Sequence, residues 1–281
     1  MVTMSMRPAR GTWKELVIER LLPYAFLDAP ASDEDIRAVL RRLQPLPSER
    51  PLRRIGGPGD GGYLVPNDLD GIVGCISPGV SSEVGFDLAL AEMGIPVFLA
   101  DASVPGPPVS HPRFRFYRKH IHPAGAADRM SLNELYSLAL AELPSDGDLL
   151  LQIDIEGDEY AALLDLAPEH LARTRIIVAE FHGLRHLFSR FGCRMIGPVF
   201  EKMLVRHAVV HAHPNNAARA LQRGDLVIPQ VMELTFLRRD RAFQSSRGAL
   251  RFPHPLDRDN VPGQPHVALP ECWYRDHTSR R

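Results

Sequence analysis

From residue 72 to residue 238 the chain alternates short apolar runs with stretches of helical spacing, and this alternation constrains its fold more than any other feature. Runs at 72–77, 96–100, 114–121, 149–153, 176–181, 205–212 and 231–238 have strand length. Between them, 82–93, 131–143, 159–166 and 184–204 carry helical periodicity. In the last of these, Gly192, Gly197 and Pro198 predict a break. Ser131 with Glu134 three residues on predicts a capping box. Strand alternating with helix predicts an α/β domain on a largely parallel sheet with helices on both faces. Ligands of such sheets bind in the crevice outside the carboxyl ends of the strands.

Two segments flank this core. Residues 11–28 and 32–43 have helical spacing, with Ser32 as a predicted N-cap, and Pro45, Pro47 and Pro51 then interrupt it. The chain therefore divides into an N-terminal helical segment (1–50), the α/β domain (51–242) and a Pro-rich tail (243–281) expected to pack on the domain as loop.

Composition excludes several partners. A net charge of −1 supplies no field to recruit nucleic acid or an anionic membrane surface. Only Lys14, Lys119 and Lys202 are lysines among 33 basic residues, which reads as codon bias rather than as phosphate binding. Cys75, Cys193 and Cys272 are odd in number and lack framework or zinc spacing, so no disulfide scaffold is expected. No apolar run approaches the ~20 residues that span a bilayer. A cytoplasmic protein acting on a small molecule or a glycan is the expectation, and a homo-oligomer is compatible with it.

Chemistry concentrates at strand ends. Asp154/Glu156, Glu180/His182 and His211/His213 each sit two residues apart at the close of an apolar run. On a strand, that spacing puts both members on one face. The first strand runs into Ser77-Pro78-Gly79-Val80-Ser81-Ser82-Glu83, where a glycine at a strand-to-helix turn lets backbone N–H groups approach a ligand. Asp101 follows 22 residues after Gly79, at the spacing of a ribose-binding acid. A dinucleotide fingerprint would need glycines where Ser81 and Val84 stand. The Gly56–Gly62 stretch ends in Tyr63, without the Lys-Ser/Thr of a phosphate loop. A nucleoside without phosphates, such as S-adenosylmethionine, fits better.

The order of these motifs, with Asp154-Ile155-Glu156-Gly157-Asp158-Glu159, His213-Pro214-Asn215-Asn216 and Glu233-Leu234-Thr235, resembles the FkbM-like class I methyltransferases over about residues 52–242. The stretch from Pro255 to Gly263 is similar to tails of related bacterial proteins. The resemblance implies a Rossmann-like seven-stranded sheet with an antiparallel last strand, S-adenosylmethionine as cofactor, and methylation of a hydroxyl on a sugar, glycan or secondary metabolite. It also implies that Gly79, Ser81, Ala102 and Asp154 meet the cofactor, that Asp101 holds the ribose, and that Asp60, Gly61, Gly62 and Tyr63 lie beside the cofactor loop. Ser77 departs from the pattern, since many such enzymes carry an acid there; Glu83 is the expected substitute at the cofactor's amino group.

Asp154, Glu156 or His182 would take the acceptor's proton. The same three could instead hold a divalent metal if their strands are neighbours, a reading placed second to direct proton transfer. His213, Asn215 and Asn216 have the donors and acceptors to recognise hydroxyls. Alternatives from other classes are a nicotinamide-dependent oxidoreductase, which shares Asp101 but lacks the glycine fingerprint, and a non-catalytic binding module.

Overall fold

The computed structural model describes residues 28–80, 82–245 and 250–275. The predicted helix at 11–28 falls almost wholly outside them. The strands are β1 (Leu52–Ile55), β2 (Tyr63–Pro66), β3 (Ile72–Pro78), β4 (Val97–Ala100), β5 (Phe114–Tyr117), β6 (His120–Ile121), β7 (Arg129–Met130), β8 (Asp148–Ile153), β9 (Thr174–Phe181), β10 (His207–Pro214), β11 (Ala220–Arg223), β12 (Leu226–Pro229) and β13 (Met232–Arg238). The α-helices are α1 (Asp33–Leu43), α2 (Gly85–Glu92), α3 (Leu132–Glu142), α4 (Glu159–Asp165), α5 (Pro168–Arg173) and α6 (Arg190–Leu204).

Seven strands form one sheet in the order β10-β13-β9-β8-β3-β4-β5. β13 is antiparallel to both neighbours, while β9, β8, β3, β4 and β5 pair in parallel. This is a Rossmann-like α/β fold. After β3 the chain builds outward through β4 and β5, then returns to place β8 on the other side of β3. The reversal opens a crevice between the ends of β3 and β8, the topological switch point of such sheets.

Both faces of the sheet are covered, which explains the unbroken apolar runs. Leu149, Leu151 and Ile153 pack into the cluster that includes residues of α1, α3, α4 and α6, whereas Leu150 joins the opposite cluster with β1, β2 and α2. The N-terminal helix α1 contributes Ile36, Leu40 and Leu43 to the first cluster. The proline segment after it runs along β10, the edge of the sheet, where Leu46 N–H donates to Val209 C=O at 2.8 Å. That contact covers backbone that an open edge would expose.

Apart from shifts of one or two residues at strand ends, such as His207–Pro214 for the run at 205–212, the structure differs from the sequence reading at three places. The expected strand 114–121 is two pieces, because β6 leaves the sheet to pair with β7. Helix α2 starts at Gly85 rather than 82, since the preceding residues form the loop beside Asp101. The break in 184–204 falls at Ser189, which caps α6 by accepting from Gly192 N–H, and the helix then continues through Pro198. Gly192 is required there: a Cβ would lie 2.2 Å from the His186 carbonyl oxygen. The capping box at Ser131 and Glu134 is present as predicted.

Candidate functional site

The crevice is closed on one side by Gly79. Its φ of +88° turns the chain out of β3, and a Cβ there would sit 1.5 Å from the Asp154 carbonyl oxygen. Only glycine allows the loop after β3 to lie directly on the loop after β8. On the other side of Gly79, Asp101, the residue after β4, braces the same loop, accepting from Val80 N–H at 3.1 Å and from the Ser103 N–H and hydroxyl at 2.7 and 2.6 Å. Ala102 follows, half-buried. Ser81 lies outside the described residues.

A narrow cleft of about 30 Å³ leads down beside Gly79, lined by Asp60, Gly61, Tyr63, Glu83, Gln152 and Asp154 among others. The glycine-rich connection of β1 and β2 thus lies against the cofactor-type loop. Gly62 sits within it where a Cβ would be 2.2 Å from the Gly57 carbonyl. Asp60 Oδ1 accepts from the Asn260 amide at 3.1 Å. At the base of the cleft, Ser77 donates to Gln152 at 2.7 Å. Beside it is Asp87, an acid not singled out from sequence. Burial pushes its carboxyl up to about 7, with the Ser77 hydroxyl pulling the other way, and its Oδ1 has no hydrogen-bond partner. Glu83, by contrast, is exposed at the mouth.

The reactive cluster lies at the ends of β8 and β9. Asp154 and Glu156 are not on the strand, which stops at Ile153. Glu156 instead has a left-handed backbone, φ +57°, the only such non-glycine among the described residues. That conformation brings Glu156 Oε2 within 3.5 Å of His182 Nε2. Asp154 Oδ1 and Glu180 Oε1 stand 4.0 and 3.8 Å from the same nitrogen. The other ring nitrogen, Nδ1, meets Glu159 Oε1 at 3.0 Å. That oxygen also accepts the Ile155 and Gly157 N–H groups at 3.0 and 3.1 Å, so the imidazole is the donor and Nδ1 carries the proton. Glu159 is wholly buried, a role its place in the first turn of α4 did not reveal.

Electrostatics at the cluster are unbalanced. Among the described residues no Lys or Arg pairs with Asp154, Glu156 or Glu180, and His182 is their one basic neighbour at ion-pair distance. Burial pushes the Asp154 carboxyl up to about 7, with His182 opposing and Glu156 adding to the rise. Burial also raises Glu180 well above the usual carboxylate range, helped by Asp154 and Glu233. Burial disfavours charge on His182, but the Glu159 hydrogen bond and surrounding acids outweigh it and raise its affinity for a proton.

A second, larger pocket of about 600 Å³ opens on Glu156 and His182. Its walls are Tyr160, Phe191, Met195, Ile196 and Val231, with Arg185, His186 and Gln230 at polar positions. Tyr160 is fixed by its hydroxyl donating to the His182 carbonyl at 2.9 Å. These lining residues were not picked out from sequence, because only the fold of the 3₁₀ turn Leu184–Phe188 onto α6 brings them together.

His213, Asn215 and Asn216 are elsewhere engaged. All three are buried. His213 contacts the Arg258 carbonyl at 3.0 Å, Asn215 donates to Glu180 at 2.6 Å, and Asn216 donates to the Val261 carbonyl at 3.0 Å. They hold the C-terminal tail and a buried carboxylate instead of facing an open cavity, because the tail folds back over the end of β10. The third motif pair, His211/His213, faces Asp257 for the same reason.

No protein-family model matches the chain, and no curated protein matches it. The solved structures to which it is similar include two of low overlap, TrmN and PH1948. TrmN from Thermus thermophilus is 14% identical, with 59% of this chain and 44% of that chain covered and a TM-score of 0.29. PH1948 from Pyrococcus horikoshii, named as a candidate RNA methyltransferase, is 9% identical, with 73% and 97% covered and a TM-score of 0.27. Less than half of the Thermus protein's length is spanned. Overlap this loose carries no argument about chemistry, so the functional reading rests on the site.

Proposed function

We propose that this chain is an S-adenosylmethionine-dependent methyltransferase acting on a hydroxyl oxygen of a small acceptor with an apolar body. The observation that carries this reading is the contact of Gly79 with Asp154. It joins the nucleoside-type loop and the acid–imidazole cluster in one crevice at the switch point. Asp101 would face the ribose, and Asp87, deeper and without a partner at Oδ1, would receive the amino group expected from the sequence to meet Glu83. A cationic ammonium there removes the cost of an unpaired buried carboxylate.

The acceptor enters through the 600 Å³ pocket. Asp154, Glu156 or His182 would take the proton of its hydroxyl, and the sulfonium of a bound S-adenosylmethionine would supply an activated methyl group to the oxygen. The leaving group is already activated, so alignment and proton removal are what the protein supplies. Apolar walls and a net charge of −1 favour a secondary metabolite or a hydrophobic glycoside over nucleic acid.

Calorimetry with S-adenosylhomocysteine and with NADH separates the cofactor classes. S-adenosylhomocysteine should bind, and Asp87→Asn should weaken it by about 1–3 kcal/mol through loss of a charged hydrogen bond. Tight NADH binding with no response to S-adenosylhomocysteine would replace this reading with the oxidoreductase.

A further inference from the structure

We propose that Asp154, Glu156 and His182 form a divalent-cation site suited to Mn²⁺, with buried Glu180 beside it and Glu159 orienting the imidazole. One ligand atom from each of the three lies within 4.8 Å of the others. The separations from His182 Nε2 to the carboxylate oxygens of Glu156, Glu180 and Asp154, 3.5, 3.8 and 4.0 Å, are too long for hydrogen bonds. They fall between the spacings of adjacent and of opposite donors around an ion, so a small side-chain adjustment would close the three groups on one. Bonds of about 2.1–2.3 Å hold adjacent donors roughly 3.0–3.3 Å apart and opposite ones about 4.3–4.6 Å apart.

Two further observations point to an ion rather than to a plain acidic cluster. Asp154 Oδ1, the oxygen aimed at Nε2, is buried and has no hydrogen-bond partner. Glu180 is 3% exposed, yet its Oε2 is likewise unpartnered, while its Oε1 accepts from Asn215 and lies 3.8 Å from the same nitrogen. Buried carboxylate oxygens left this way cost free energy unless a proton or a cation meets them, and a cation would meet several at once. The Glu159 contact completes the arrangement. With Nδ1 holding the proton against a buried carboxylate, the Nε2 lone pair points at the acids, which is how metal-binding imidazoles are fixed in tautomer and direction. Mixed carboxylate and imidazole donors suit Mn²⁺. Its open positions would face the large pocket, since Glu156 and His182 line that pocket. An acceptor hydroxyl bound there would be acidified by the ion, its proton passing to a neighbouring carboxylate or to water.

The site can be tested on the full chain without cofactor or substrate. Protein stripped by chelator is titrated with Mn²⁺ alone, and paramagnetic resonance reads the free ion. One ion per chain should bind. Glu156→Gln changes a side chain 87% exposed, which spares the core, and should weaken binding roughly tenfold or more. Glu159→Gln should weaken it by roughly 10–100-fold. Glu142→Gln, at a distant surface ion pair, should leave it unchanged. Absence of binding at millimolar Mn²⁺, or equal binding by wild type and Glu156→Gln, would overturn the proposal. S-adenosylhomocysteine binding without Mn²⁺ binding sinks the ion and keeps the methyl-transfer reading; the converse does the opposite.

Discussion

At the end of β10, His211 hydrogen-bonds Asp257 at 2.9 Å, and His213 meets the Arg258 carbonyl at Nε2 and lies 3.6 Å from the same carboxylate at Nδ1. At the ends of β8 and β9, His182 faces four carboxylates and its Nε2 makes no hydrogen bond. Both clusters combine imidazole and carboxylate in buried or half-buried surroundings. In the first, each imidazole has a hydrogen-bond partner and the tail is fastened to the domain. In the second, acids exceed bases and several oxygens have nothing to bind. A matched cluster costs the fold little while it stays intact, whereas an unmatched one persists only because the rest of the structure holds it together. The second is therefore where a ligand belongs.

The largest effect should come from removing an acid from the unmatched cluster. Asp154→Asn is expected to lower methyl-transfer turnover by about 10²–10⁴-fold while leaving S-adenosylhomocysteine affinity nearly unchanged. Loss of affinity with intact turnover would mean that Asp154 serves the cofactor only. Next is the matched cluster. Asp257→Asn leaves buried imidazole charge uncompensated and should destabilise the fold by about 3–5 kcal/mol in denaturant unfolding.

In metal-free protein, Glu180→Gln should do the opposite of Asp257→Asn. The new amide can donate toward neighbouring acids while its oxygen still accepts from Asn215, for a gain of roughly 0.5–2 kcal/mol. Equal destabilisation by the two variants would erase the distinction between the clusters.

The tail fastening should also depend on pH. Burial alone would lower the His213 proton affinity, but Asp257 and Glu233 raise it above the ordinary imidazole value. Its contribution is thus complete below about pH 6.5 and is lost as pH rises through the folded-state value. Burial alone would raise Asp257, but the His211 hydrogen bond and the neighbouring His213 hold it well below the ordinary range. Its contribution is present above about pH 3.9 and fades in stronger acid. The stability difference between wild type and His213→Gln should accordingly be largest near pH 5–6 and shrink above neutrality. A flat difference from pH 5 to 9 would remove the charged His213. Smallest of all, Glu156→Gly should gain about 0.5–1 kcal/mol by relieving the left-handed backbone, at the cost of the Mn²⁺ site.

Much of the fold was legible in the chain. Periodicity located the seven strands of the sheet, and Ser131-Leu132-Asn133-Glu134 specified a helix start from local chemistry alone. Gly79, Asp154, Glu156 and His182 were recognised as residue types that site chemistry needs, and the parallel pairing of β3, β8 and β9 brings them together. The two-residue spacing of Asp154 and Glu156 suggested a shared strand face, but a left-handed turn does that work instead.

Local signals are short-range: the period of a strand or helix and the capping of a turn are set by neighbours a few residues away, so sequence alone determined the elements and their alternation. Partner choice among polar side chains is long-range. His213 and Asn216 meet a tail some 45 residues later, Glu159 reaches His182 across 23 residues, and Asp87 turns inward on a helix that starts three residues later than its spacing indicated. Only the tertiary structure decided which ionisable groups are neutralised by the chain itself and which are left facing a cavity.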